Sequence, residues 1–146
     1  MKTTHNDIKT PGDATKRTIH LLTQQNINIT RTQKVSAGRH TIIHTEHGQL
    51  YLMFKRAPFL NYGKELGQTP SQGETTNINI FRAIQSNPHI KLILFAYPNG
   101  KVYGITPQEY AKHGTQRHNP RMIENSLCIP FTKLQPLTEL IGEWKL

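Results

Sequence analysis

The hydrophobic residues follow two different periods along the chain, and the change between them predicts a mixed α/β fold. Ile19 and Leu22 recur at helical spacing within residues 14–25. Ile29 and the other apolar residues of 27–35 stand among polar ones, as in a strand with one solvated face. The predicted elements are a helix at 14–25, strands at 27–35, 40–45 and 49–55, a helix at 76–87, strands at 91–97 and 101–105, a helix at 107–113, a strand at 126–134 and a helix at 136–146.

The segments between these elements complete the predicted organisation. Residues 1–12 are polar and indicate a flexible N-terminal tail, and Asp13 is placed to cap the first helix. Residues 57–74 contain Pro and Gly with little periodicity, which predicts a long loop. The apolar run 91–97 predicts a central strand covered on both faces. Pro130 interrupts the last strand and favours an edge position for it.

The charge of the chain indicates a polyanionic partner. Eighteen Lys and Arg residues stand against nine Asp and Glu, for a formal net charge of +9. Residues 1–64 carry 10 − 3 = +7 of this charge and the remainder carries 8 − 6 = +2, so the cationic surface is expected in the N-terminal half. The single cysteine, Cys128, predicts a reducing cytoplasm, and no apolar run reaches the roughly 20 residues of a membrane span.

The order of these elements resembles the core of the restriction-endonuclease-like, PD-(D/E)XK, nucleases. The similarity is carried by ITRTQKVSAGRHTIIHTEHGQLYLMFKR, residues 29–56, in which a strand, a small basic loop and a hairpin end in Lys-Arg. Archaeal Holliday junction resolvases and Mrr-type proteins are the members it resembles most. The segments FAYPNGKVYGI and LCIPFTKLQPL are similar to the family's later hairpin and closing strand. The resemblance implies one α/β domain over residues 13–146, with a mixed β-sheet flanked by helices.

The same resemblance implies that the metal site is degenerate. In that family two carboxylates hold Mg²⁺ beside the scissile phosphate, and a lysine activates or orients the attacking water. The aligned acid positions are occupied here by Thr41 and Met53, and the lysine is retained as Lys55. A hydroxyl is a poor ligand for Mg²⁺ and a thioether is too soft. We therefore expect no cofactor and no metal-dependent hydrolysis, unless other carboxylates replace the missing ones.

Three carboxylates are the weak candidates for such a replacement. Glu65 and Glu74 lie in the predicted long loop, and Asp13 lies at the start of the first helix. Any of them could form a displaced metal site with Lys55, and Mg²⁺ would be required only in that case. The alternative is that these three carboxylates lie apart from each other on the surface and are only solvated.

Three functions stay open at this point. The leading one is a catalytically inactive or altered nuclease-like protein that binds double-stranded or branched DNA by its phosphates, with a homodimer expected by analogy. The second is an active metal-dependent endonuclease of restriction, homing or junction-resolving type. The third is a small viral or plasmid structural or adaptor protein with no nucleic-acid role. The predicted phosphate-binding residues are Lys16, Arg17, Arg31, Lys34, Arg39, Lys55, Arg56 and Lys64.

Overall fold

Two β-sheets and four α-helices make up the described part of the chain, which comprises residues 8–55, 73–117 and 125–144 of a computed structural model. The helices are α1 (Pro11–Gln24), α2 (Ile78–Gln85), α3 (Pro107–His113) and α4 (Leu137–Trp144). The strands are β1 (Ile29–Val35), β2 (His40–Thr45), β3 (Gly48–Phe54), β4 (Gly73–Asn77), β5 (Ile90–Ala96), β6 (Val102–Ile105), β7 (Thr115–Arg117), β8 (Ser126–Pro130) and β9 (Gln135–Pro136).

The larger sheet contains both parallel and antiparallel pairs, as the resemblance implies. Its strand order is β1-β2-β3-β5-β6-β9, and only β3 and β5 run parallel among the described neighbours. Helix α2 lies in the crossover between those two strands. Strand β5 is therefore central, which confirms the prediction from its apolar run. The mixed α/β fold class is confirmed as well.

Each face of this sheet packs against a different set of elements. On one face, Leu50 and Leu94 pack with Leu22 of α1 and Ile141 of α4. The other face carries Met53, Phe95 and Tyr97, and these residues pack with Phe81 and Ile84 of α2, Tyr110 of α3, and Leu127 and Ile129 of β8. Burial on both faces explains why β5 has a continuous apolar run instead of an alternating one.

The first helix begins earlier than the sequence predicts. Pro11 occupies the first turn, where its missing N–H costs nothing, and Thr10 is the N-cap. The prediction that Asp13 is the cap residue is therefore wrong. Thr10 Oγ1 accepts the N–H of Asp13 at 3.1 Å, and Asp13 Oδ2 accepts the N–H of Lys9, the residue before the cap, at 3.1 Å, an arrangement similar to a capping box. Of the expected tail, Ile8 is 1% exposed and belongs to the core, and residues 9–12 are exposed but form the start of α1 and its cap; residues 1–7 lie outside the described residues.

The second sheet corrects two further predictions. It has the order β4-β8-β7, so the strand that contains Pro130 is its middle strand and not an edge. Pro130 is tolerated because it ends β8, opposite Gly73. Gly73 and Glu74 belong to β4, so the expected loop 57–74 ends earlier than predicted; residues 56–72 lie outside the described residues.

The turn between β1 and β2 is ordered and unusual. Ser36, Ala37 and Gly38 all have positive φ, at 53°, 56° and 82°. The N–H of Gly38 donates to the carbonyl of Val35 at 3.1 Å, and the N–H of Arg39 donates to the carbonyl of Ser36 at 3.2 Å. Ala37 therefore carries left-handed strain that a glycine would avoid.

Candidate functional site: the Lys55–Glu74 pair and the basic edge

The side chain of Lys55 lies where the two parallel strands of the large sheet end. The N–H of Lys55 donates to the carbonyl of Ala96 at 2.8 Å, which extends the β3–β5 pairing by one residue. Its ammonium donates to the carbonyl of Thr75 at 2.7 Å and stands 5.6 Å from the centre of the Phe95 ring. The carboxyl ends of parallel strands are a common place for ligand sites in open α/β sheets.

Glu74 is the carboxylate that the fold brings to Lys55. Its Oε1 lies 3.9 Å from Lys55 Nζ, and its Oε2 accepts a hydrogen bond of 2.6 Å from Tyr97 Oη. The Lys55 and Glu74 side chains are 24% and 15% exposed, so the ion pair is largely buried. Of the three weak candidates, Glu74 is therefore the one that lies beside Lys55. Asp13 instead accepts the N–H of Lys9 in the first turn of α1, and Glu65 lies outside the described residues.

Burial dominates the ionisation of this pair. Burial lowers the pKa of Lys55, while the charge of Glu74 raises it less strongly. Burial raises the pKa of Glu74, against the charge of Lys55 and the hydrogen bond from Tyr97, which lower it. The pKa of the Tyr97 hydroxyl is raised by burial and by the adjacent carboxylate, so this tyrosine stays a donor. Desolvation therefore disfavours the charged form of both side chains.

The register of the hairpin corrects one of the aligned positions. Thr41 opposes Leu52 and faces α1, where its hydroxyl accepts a hydrogen bond of 3.1 Å from Thr15. Met53 shares a face with Lys55 because alternate residues of a strand point the same way. Thr41 therefore lies on the opposite side of the sheet from the Lys55 ammonium. Met53 is 1% exposed and belongs to the core.

His40 lies opposite Met53 on β2, and it was not predicted from the sequence as a site residue. Its Nδ1 is 2.8 Å from Tyr51 Oη, and that hydroxyl is 3.3 Å from Ser36 Oγ. Burial, followed by the charges of Lys55 and Arg39, lowers the pKa of His40 to about 4. The predicted turn at 46–48 would pair position 41 with position 53. The observed turn has two residues, Glu46 and His47, and pairs Thr45 with Gly48, which places His40 opposite Met53.

The predicted phosphate-binding residues separate into three groups. Arg31, Lys34 and Arg39 lie exposed on β1 and on the turn that follows it. Lys16 is exposed on α1, next to Thr15, whose hydroxyl donates a hydrogen bond to Thr41 of β2. We call these four cations the basic edge. Arg17 instead is half-buried and donates to the carbonyl of Gly100 at 3.1 Å. Lys55 forms the ion pair with Glu74, and Arg56 and Lys64 lie outside the described residues.

The cations of the basic edge form no ion pair with a described carboxylate, although the charge of Lys16 contributes to lowering the pKa of Asp13. Within the described ranges, the ion pairs join Glu46 to His47, Glu74 to Lys55 and Glu109 to His113, and none involves the four cations. Lys34 opposes Thr41 on β2, next to the side of the sheet that α1 covers, whereas Arg31 opposes His44 on the other face. The edge strand therefore presents positive charge on both of its faces.

The donors around Lys55 do not fit a Mg²⁺ site by themselves. Mg²⁺ takes oxygen ligands in octahedral geometry, and the residues described here supply Glu74 with a thioether and an imidazole nearby. No group of three or more His, Cys, Asp and Glu side chains in the described ranges is arranged to hold a metal ion. What the described residues offer here is one carboxylate and one ammonium, 3.9 Å apart.

Comparison of the chain with protein-family models, curated proteins and solved structures gave no match. The restriction-endonuclease-like core therefore stays a prediction. Across the described residues, no helix combines the length and apolar composition needed to cross a bilayer.

Proposed function

We propose that this protein binds nucleic acid through the phosphate backbone, with double-stranded or branched DNA as the preferred form. The observation that carries the proposal is the basic edge, whose four cations are exposed and form no ion pair with any described carboxylate. Cations in this state attract phosphates and release the counterions condensed on a duplex. Such contacts hold the backbone without reading base sequence.

The direct test is a binding titration with two charge-matched variants. The edge variant carries Lys16→Ala, Arg31→Ala, Lys34→Ala and Arg39→Ala. The control variant removes four exposed cations from elsewhere, by Arg82→Ala, Lys91→Ala, Lys112→Ala and Lys133→Ala. Both have a formal net charge of 9 − 4 = +5.

The two variants separate a site from a general charge effect. We expect the edge variant to lose at least about tenfold in affinity for a labelled 20-base-pair duplex at 50 mM salt, while the control variant stays within about threefold of the wild type. Fluorescence anisotropy measures both, with a four-way junction and single strands as further ligands. Equal losses in the two variants would remove the basic edge from the proposal. No binding of any nucleic acid at low salt would favour the structural or adaptor function instead.

Metal-dependent cleavage of DNA is the second candidate, and the contact between Lys55 and Glu74 favours it. A carboxylate at 3.9 Å from the ammonium is the displaced acid that this alternative requires. The test is nicking of a supercoiled plasmid with Mg²⁺ or Mn²⁺. If the pair acts in cleavage, Lys55→Ala abolishes nicking and leaves duplex binding largely intact. Metal-dependent nicking that survives Lys55→Ala would exclude this role for Lys55.

We further propose a reducing cytoplasm as the place of action. The support is the presence of a single cysteine, Cys128, which is buried and cannot form an internal disulfide. A free-thiol titration of protein purified from cells without reductant tests this, with one reactive thiol per denatured chain as the expected result.

A further inference from the structure

Two histidines of β2 lie beside the cations of the basic edge, on the face of the large sheet that packs against α2. His40 and His44 share this face with Ile42, which belongs to the core beneath α2, because alternate residues of a strand point the same way. Arg31 of β1 lies directly opposite His44 and therefore points to the same face. We call His40, His44 and Arg31 the histidine face.

Each imidazole is oriented by a hydrogen bond to a neighbouring side chain. His40 Nδ1 is 2.8 Å from Tyr51 Oη, and His44 Nε2 is 3.1 Å from Gln33 Oε1. The other ring nitrogen of each histidine makes no hydrogen bond to a described residue. Both side chains are half-buried, so each ring is held in one orientation and still has solvent on part of its surface.

The charges that act on the two rings come mainly from cations. Burial, followed by the charges of Lys55 and Arg39, lowers the pKa of His40 to about 4. Burial, followed by the charge of Arg31, lowers the pKa of His44. Two of these three cations belong to the basic edge, so the histidines and the predicted phosphate contacts share one electrostatic environment.

No carboxylate in the described ranges forms an ion pair with either histidine. Glu74 of β4 pairs with Lys55, and Glu46, in the turn after β2, pairs with His47. Tyr51 of β3 also faces His40, and burial raises the pKa of its hydroxyl, so this group stays uncharged at neutral pH. Both imidazoles are therefore neutral near pH 7, because burial and the neighbouring cations oppose their protonation.

A bound phosphate reverses this balance. Its negative charge offsets the cations that keep the rings neutral, and it therefore favours the protonated forms. At His44 the hydrogen bond acts in the same direction. Nε2 donates to the carbonyl oxygen of Gln33, so the outer nitrogen, Nδ1, donates to a phosphate only when the ring is protonated.

We infer that the nucleic-acid site extends from the basic edge onto the histidine face, where phosphates contact His40 and His44 and both side chains take up protons on binding. The inference rests on the proposed function, because it names further contacts of the same site. Its consequence is a duplex affinity that rises as the pH falls. One histidine whose pKa returns on binding from about 4 to its ordinary value of about 6.5 tightens binding about tenfold between pH 7.5 and pH 5.5.

The test compares two double variants with the wild type across pH. The histidine variant carries His40→Gln and His44→Gln. The control variant carries His20→Gln and His113→Gln. His20 is exposed on α1, one turn after Lys16, so it lies near a cation of the basic edge but on the opposite side of the sheet. Fluorescence anisotropy measures the affinity of each protein for a labelled 20-base-pair duplex at pH 7.5 and pH 5.5, at constant ionic strength.

We expect the affinity of the wild type and of the control variant to rise over this pH range by at least about tenfold more than that of the histidine variant. Equal rises in all three proteins, or a rise that is lost only in the control variant, would overturn the inference. Proton NMR of the histidine Cε1–H signals adds a readout that does not depend on affinity. The pKa values of His40 and His44 should rise when duplex is added, and unchanged values would also overturn the inference.

The two proposals fail in distinguishable ways. Duplex binding that is weakened in the edge variant but keeps its full pH dependence in the histidine variant leaves the basic edge in place and removes the histidine face from the site. No duplex binding at either pH in 50 mM salt removes the proposed function and the inference with it. Circular dichroism at both pH values confirms that each variant retains the fold before the affinities are compared.

Discussion

The Lys55–Glu74 ion pair is expected to reduce the stability of the fold. At 3.9 Å and an effective dielectric constant of 20, the attraction between the two charges is about 4 kcal/mol. Removing each ion from water costs several kcal/mol, and both pKa values move in the direction that burial dictates. The double variant Lys55→Met with Glu74→Gln removes both charges and keeps an acceptor for Tyr97. We expect its free energy of unfolding to be unchanged or raised by up to about 2 kcal/mol.

Urea unfolding at pH 7 measures this, with the m-value as the check that the folded and unfolded states are comparable. The pair Glu109–His113, whose side chains are 54% and 29% exposed, is the more solvated control, and Glu109→Gln with His113→Gln should change stability by less than about 0.5 kcal/mol. Because the folded-state pKa of Glu74 lies above its ordinary value, Glu74 adds stability at low pH that is lost as the pH rises through that pKa. Wild type should therefore lose stability relative to Glu74→Gln on going from pH 4.5 to pH 7.

A loss of more than about 1 kcal/mol in the double variant would refute this reasoning, because it would show that the pair holds the fold together. A pH profile parallel to that of Glu74→Gln would refute it as well. If the expected result is found, the pair is retained at a cost to stability, which is typical of groups that serve binding or catalysis.

Three other perturbations follow from the structure. Gly38→Ala should cost about 1 kcal/mol, because φ is +82° with no atom in the way, whereas Gly142→Ala on α4 should gain up to about 1 kcal/mol; thermal unfolding compares them. Burial lowers the pKa of His40 to about 4, so the stability of the wild type relative to His40→Gln should be complete above pH 6.5. This difference should fall by about 1–2 kcal/mol towards pH 4, a figure that allows for solvent screening. A difference in urea midpoint between the two proteins that is the same at both pH values would contradict this. Tyr97→Phe removes the 2.6 Å hydrogen bond to Glu74 and should cost about 1.5–3 kcal/mol by urea unfolding, whereas a loss below 0.5 kcal/mol would show that the bond contributes little.

The fold was predictable where periodicity and turn chemistry agree. The hairpin of β2 and β3 follows from alternation around Gly48, whose φ of +131° suits glycine, and α3 follows from Thr106, Pro107 and Gly114. Strand β4 was not predicted, because Gly73–Asn77 is polar and short and acquires its pairing only from β8, about fifty residues later in the chain. Non-local pairing of this kind leaves no periodic signal in the strand itself.

The candidate site was likewise predictable from the sequence only in part. Lys55 was predicted as the lysine that the family resemblance retains, and Glu74 was one of three candidates that spacing alone could not separate. Tyr97 ends the apolar run 91–97, which predicts a buried strand, and only its contact with the carboxylate shows a second role. Thr41 was misassigned because a shift of one residue moves a side chain to the other face of the sheet.

The salt dependence of duplex binding tests the central proposal most directly. For four phosphate contacts, the logarithm of the affinity should fall with the logarithm of salt concentration with a slope of about −3.6, which is about 150-fold between 50 and 200 mM. The edge variant should have a slope less negative by about 3–4 than the wild type, and the control variant should change it by less than about 1. Equal slopes in the two variants, which carry the same net charge, would contradict nucleic-acid binding at the basic edge.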